Sequence, residues 1–167
     1  MEREHVLVAL VEDEPGVMQR ISGMFTRRHF NIDTISVGHT EKEGISRMTI
    51  TFWGDDKKAE QIIKQLNRII EVIKVMKMDR DSIQRELALI KLNTSDAAVR
   101  REIIEYTNIF RAKIVDVGKD SMIVEVTGDP DKVDAFVKLV TPFGIKELAV
   151  AGMTAMNRGS KPQGNGK

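Results

Sequence analysis

Cysteine is absent from the 167 residues. Disulfides, thiolate nucleophiles and cysteine-based metal sites are therefore excluded at the outset. No apolar run approaches the roughly 20 residues needed to cross a bilayer. The opening MEREHVLVALVEDE meets acids before a signal-peptide core could build, so a cytoplasmic protein without membrane contact is predicted. An excess of one charge is missing too: 26 Lys and Arg face 25 Asp and Glu, a net charge of +1. A protein that tracks a phosphate backbone normally carries a basic excess or stripe, so nucleic acid is not the expected partner. Neither GxxxxGK nor GxGxxG occurs, and the GNG of the tail lies outside any strand–helix context.

What is present is a soluble, globular composition, 41% hydrophobic and 31% charged, long enough for one ordinary domain or two small ones. Val6 to Val11 is a continuous apolar run of strand length. Pro15 sits where a first helical residue belongs, and Val17, Ile21, Met24 and Phe25 follow on one helical face. A strand from about Ile32 to Val37 ends in the polar GHTEKEG. Met48, Ile50 and Phe52 then alternate with polar residues, the period of a half-buried strand. Asp55 or Asp56 can cap a second helix with the stripe Ala59, Ile62, Ile63, Leu66, Ile69 and Ile70. A strand over about Val72 to Met78 completes the order βαββαβ.

The second half repeats the order. Leu87–Leu92 reads as a strand and NTSD as a cap. Val99, Ile103, Tyr106 and Phe110 mark a helix. Ala112–Val117 and Met122–Thr127 flank the turn GKDS. Asp129 and Pro130 open a helix carrying Val133, Phe136, Val137 and Val140, and Ile145–Val150 closes the unit. The fold class predicted is α+β, two ferredoxin-like βαββαβ units. The expected boundaries are 1–78, a linker over 79–86, a second domain over 87–156 and a disordered tail over 157–167. Four strands with two helices on one face leave the other face open, so dimerisation through strand edges or sheet faces is expected.

Chemistry is sparse. His5, His29 and His39 share no ligand spacing, which predicts no metal site. The acids Asp55, Asp56, Asp79, Asp81, Asp129 and Asp131 fall at helix starts or linkers, where capping explains them. No local Ser/His/Asp arrangement suggests a catalytic site. The stretch Asp13-Glu14-Pro15-Gly16 stands apart. A helix mouth carries about half a positive charge on free N–H groups, and Gly16 lets a ligand approach the backbone without a Cβ in the way. Amides for a carboxylate beside Asp13 or Glu14 for an ammonium would suit an amino-acid zwitterion. Plain capping of the helix by these acids is the competing reading.

VLVALVEDEPGVMQRISGMFTRRHFNIDTISVG followed by ISRMTITFWGD resembles the ACT domain of acetolactate (acetohydroxyacid) synthase small subunits. EIIEYTNIFRAKIVDVG resembles that family's second domain, and VAGMTAMNRG its terminal motif. The resemblance spans residues 4–159 and implies a regulatory chain with no catalytic site or cofactor of its own. The family's partner is a catalytic large subunit using thiamine diphosphate, Mg²⁺ and FAD to condense pyruvate with pyruvate or 2-oxobutyrate. The small subunit is expected to raise that activity and to confer feedback inhibition by valine in branched-chain amino-acid biosynthesis. Valine is expected between two ACT domains of a homodimer. By the family pattern its site comprises Asp13, Glu14, Pro15, Gly16, Val17 and Met18 on one side, with Asn31 and Ile32 on the other.

Two positions depart from the pattern. Many relatives have Asn where Asp13 stands, and a second carboxylate about 4 Å from the ligand's own would cost about 4 kcal/mol at an effective dielectric of 20. Asp13 is therefore expected to contact the ammonium, to turn toward backbone amides or to signal a weak valine response, and the ammonium contact is the hypothesis adopted. Val150 replaces an arginine of the terminal motif, so the contact that arginine makes in the family is not carried over. A free-standing amino-acid sensor or transcriptional regulator is the alternative, but AAVRREIIEYTNIF, its nearest candidate for a basic helix, offers only Arg100 and Arg101. An independent small enzyme lacks any residue constellation.

Overall fold

The structure, a computed structural model, describes residues 1–159. The chain divides into two compact units, one comprising Met1–Ile83 together with the segment from Met153, the other Gln84–Gly152.

In the first unit the order is β1 (Arg3–Glu12), α1 (Val17–Arg27), β2 (Thr34–His39), β3 (Ile45–Gly54), α2 (Asp56–Leu66) and β4 (Val72–Lys77). The strands form an antiparallel sheet in the order β2-β3-β1-β4. The βαββαβ order is the expected one, and the stripe Val17, Ile21, Met24 and Phe25 is the buried face of α1. These side chains join Leu7, Ala9, Val11, Met48, Ile50 and Phe52 of the sheet and Ala59, Ile62 and Leu66 of α2 in one core. Each fully buried aliphatic or aromatic side chain contributes about 1.5–3 kcal/mol of transfer free energy. Asp55 caps α2, its carboxylate accepting the Lys58 N–H at 2.8 Å. α2 ends at Leu66, so Ile70, expected on its stripe, lies beyond the helix and is 90% exposed.

The second unit repeats the order with β5 (Ile83–Asn93), α3 (Ala97–Ile109), β6 (Lys113–Val117), β7 (Ser121–Gly128), α4 (Pro130–Val140) and β8 (Ile145–Val150), its sheet ordered β6-β7-β5-β8. Its core gathers Ala88, Ile90 and Leu92 with Ile103, Val124, Val126, Val133, Phe136 and Val140. Asp96 of the NTSD stretch caps α3 through the Ala98 N–H. Asp129 occupies the cap position of α4 without a capping bond, because its carboxylate accepts from Arg85 at 2.8 Å instead.

The terminal motif departs from expectation. It adds a short strand, β9 (Thr154–Met156), and from Met153 onward it groups with the first unit rather than with the second, to which residues up to 156 were assigned. Met153 and Ala155 bury against Val6, Val8 and Met78 on the sheet face opposite the helices. The Ser36 hydroxyl donates to the Met153 carbonyl and Arg47 Nη2 to the Ala155 carbonyl, both at 2.6 Å. The face expected to be open is thus partly covered, which is why Thr49 and Thr51, the polar half of the β3 alternation, are buried as well. Asn157 and Arg158, expected in the disordered tail, hydrogen-bond to the backbone of Asp79 and Asp81. The rest of that tail, 160–167, lies outside the described residues.

Candidate effector site at the mouth of the first helix

α1 begins two residues later than Pro15. Gly16 is its N-cap, in the left-handed region at φ 91°, ψ −9°, a conformation open to glycine and costly for a side chain. Built there, a Cβ would meet no atom within 4 Å, so the backbone at Gly16 faces open space. No side chain caps the helix, and its first turn contains no acid. The capping role considered for the acids is therefore not filled by them: the mouth keeps its partial positive charge and its amides lack a side-chain acceptor. Val17 N–H reaches only the Glu14 carbonyl, at 3.4 Å.

The approach to this mouth is held from both sides. Glu12 N–H donates to the Glu71 carbonyl and Asp13 N–H to the Gly44 carbonyl, each at 2.8 Å. Arg20, on the second turn of α1, pairs with the carboxylate of Glu71. Asp13 Oδ2 lies 3.9 Å from His39 Nδ1 at the end of β2, with Asp13 half-exposed.

Of the residues assigned to the site, Asp13, Glu14, Pro15, Gly16 and Met18 are exposed around the mouth. Val17 is different: it is 4% exposed and its side chain belongs to the core, so only its backbone faces the turn. Asn31 is exposed and Ile32 packs partly against the core. These two do not meet the mouth within one chain. Thr34, just after them, is level with Thr51 and through it with Val6, whereas the mouth follows Glu12. Six strand residues at 3.3 Å each separate the two levels by roughly 20 Å.

Sequence reasoning missed Glu71 and His39 as neighbours of this site. The pairing of Arg20 with Glu71 spans 51 positions and has no local signature. The histidines do not converge. His5 is buried, holding Gly54 O at 3.0 Å through Nε2 and stacking on Phe52, and His29 follows α1 in a left-handed turn. Among the described residues no three His, Asp or Glu side chains are grouped to hold a metal ion, and no helix is long and apolar enough to cross a membrane.

Residues 7–74 match the family described as the AHAS small subunit-like ACT domain, and residues 85–159 match the small subunit of acetolactate synthase. The probable acetolactate synthase small subunit of Methanothermobacter thermautotrophicus is 55% identical over 94% of both chains. The chain belongs to the acetolactate synthase small subunit family. A second relative, the probable small subunit of Archaeoglobus fulgidus, is 54% identical over 95% of this chain and 99% of its own. Among solved structures, the acetolactate synthase small subunit from Thermotoga maritima superposes with a TM-score of 0.87 at 43% identity, covering 93% of this chain and 98% of that one. Two-unit architecture and ACT fold are therefore family features.

Proposed function

We propose that this chain is the regulatory subunit of a branched-chain acetohydroxyacid synthase, raising the activity of a catalytic large subunit and subjecting it to inhibition by valine. Thiamine diphosphate, Mg²⁺ and FAD reside on that partner, which carries out the carbon–carbon bond formation. Valine binds at the mouth of α1, its carboxylate on the amides of the 15–17 turn and its ammonium on Asp13. Met18 and Ile32 flank the aliphatic side chain.

One observation carries this reading. The amides beside Gly16 have neither a side-chain cap nor an acid in the first helical turn, while Asn31 lies roughly 20 Å away in the same chain by strand register. A ligand contacting both must be shared by two copies. Binding across a homodimer then couples effector to assembly: valine favours the dimer arrangement that satisfies both halves of the site and shifts the population able to activate the large subunit.

Reconstitution tests the proposal. Adding this chain to purified large subunit should raise turnover, and millimolar valine should bring it back toward the level of the large subunit alone. A large subunit indifferent to this chain, or a complex indifferent to valine, leucine and isoleucine alike, would overturn it.

A further inference from the structure

On the sheet face opposite α1 and α2, the first unit contains a cavity of about 760 Å³, within the range of small-molecule sites. It opens on the other face of the sheet from α1 but at the same end as the helix mouth, and His39, 3.9 Å from Asp13, is part of its lining. Its apolar lining comes from Leu10, Ile73, Met76 and Met156. Its charged lining is lopsided: Lys42, Arg47, Lys74 and Arg158 face a single carboxylate, Glu41. Among these Lys, Arg and Glu side chains, three positive charges remain uncompensated.

Arg47 is the focus. Its Nη2 donates to the Ala155 carbonyl at 2.6 Å, while its Nε is buried and has no hydrogen-bond partner among the described residues. Burial presses the guanidinium below its usual pKa range, with Glu41 acting in the other direction. A partly desolvated guanidinium lining the cavity is a costly arrangement that an incoming anion relieves, and a guanidinium pairs well with a carboxylate. Among the described residues the lining contains no helix, so it lacks the amide cradle typical of phosphate sites, and no phenylalanine, tyrosine or tryptophan on which a nucleobase could stack.

We propose that this cavity is a second binding site, selective for an aliphatic monocarboxylate that carries no amino group. The amino group is excluded by the surplus of cations, which repels the ammonium of a zwitterion. The two sites of this unit thus sort related metabolites by charge: amino acids at the mouth of α1, their deaminated or unaminated counterparts here. The wall from Met156 to Gly159 is tied to the backbone of Asp79 and Asp81 by Asn157 and Arg158, and an occupant packs against that wall.

The test uses the full chain in its native oligomer, titrated calorimetrically with sodium hexanoate, 1-hexanol and hexylamine, with methionine methyl groups observed by NMR. Hexanoate should bind saturably, with shifts at Met76, Met78 and Met156 and none at Met18. Hexanol should bind at least about tenfold more weakly and hexylamine not at all. Arg47→Gln should weaken hexanoate about tenfold or more while leaving valine binding unchanged. Because Arg47 also braces the terminal segment, the rim variant Lys42→Gln/Lys74→Gln provides an independent reading and should weaken hexanoate several-fold. Hexanol binding as tightly as hexanoate, no hexanoate binding at all, shifts confined to Met18, or indifference of the rim variant would each overturn the assignment.

Discussion

Arg20 and Glu71 lie 51 positions apart and meet as a hydrogen-bonded ion pair beside the mouth of α1. Glu71 is 6% exposed, its second carboxylate oxygen has no partner among the described residues, and its own carbonyl takes the Glu12 N–H at the end of β1. The turn before β4 therefore anchors both the strand that leads into the site and the helix that leads out of it. Removing Arg20 strands a buried carboxylate. Arg20→Met should destabilise the chain by about 2 kcal/mol, below the 3–5 kcal/mol of a wholly buried pair because the arginine is half-exposed. The double variant Arg20→Met/Glu71→Leu should recover most of that loss in denaturant unfolding. Additive losses would show that the pair does not act as a unit.

Acid sensitivity should begin at His5. Burial, then the charge of Lys77, holds its imidazole below the usual pKa, outweighing the hydrogen bond to Gly54. The unfolded chain, titrating near 6.5, then binds a proton the folded chain refuses, so stability is full above about pH 6.5 and falls as pH drops below it. Asp56 acts in a separate window. Hydrogen bonds from Arg3 and Lys77 lower its pKa, so its contribution is present above about pH 4 and lost below. Urea midpoints measured from pH 7.5 to 4.5 should decline in the wild type and flatten in His5→Gln. An unchanged slope in the variant would assign the effect elsewhere.

Met153 tests the role of the terminal motif. It is 1% exposed, packed with Val6, Val8 and Met78. Met153→Ala should cost about 2–3 kcal/mol, the lower part of the range for emptying a buried site, read as a lower thermal midpoint. A loss under about 0.5 kcal/mol, the level of a surface substitution, would mean the segment is dispensable to the first unit.

Two substitutions separate the parts of the helix mouth. Gly16→Ala places a methyl group in open space but keeps a residue at φ 91°. It should cost about 1–2 kcal/mol in stability and weaken valine by obstructing the approach to the amides. Asp13→Asn should leave stability near that of the wild type, since its carboxylate caps nothing, and weaken valine by removing the ammonium contact. An unchanged valine dissociation constant in Asp13→Asn would refute that contact.

The fold was legible wherever the determinants are local. The α1 stripe has the 3.6-residue period that only burial against one surface produces, and Asp55 and Asp96 announce their helices by chemistry that acts over two or three residues. Misreadings occur where a distant segment intervenes. Thr49 and Thr51 look solvent-facing until Met153 and Ala155 return to cover them. Ile70 has the stripe's spacing but follows a helix that already ended. At the site, Pro15 and Gly16 were both read as helical, whereas the left-handed Gly16 delays the start to Val17 and sends the Val17 side chain inward. Asn31 is assigned only through the family pattern, because within one chain it lies roughly 20 Å from the mouth by strand register.

Subunit exchange measures whether the Gly16 turn of one copy and Asn31 of another form one valine site. Gly16→Asp and Asn31→Ala homodimers should each fail to bind valine in calorimetry. Mixed and exchanged, they form heterodimers in which an intact Gly16 turn from one copy faces an intact Asn31 from the other. Valine binding should then return at about a quarter of the wild-type stoichiometry, from the statistical half of dimers that are mixed and carry one whole site. A mixture that has demonstrably exchanged and still binds no valine would contradict a site shared between two copies.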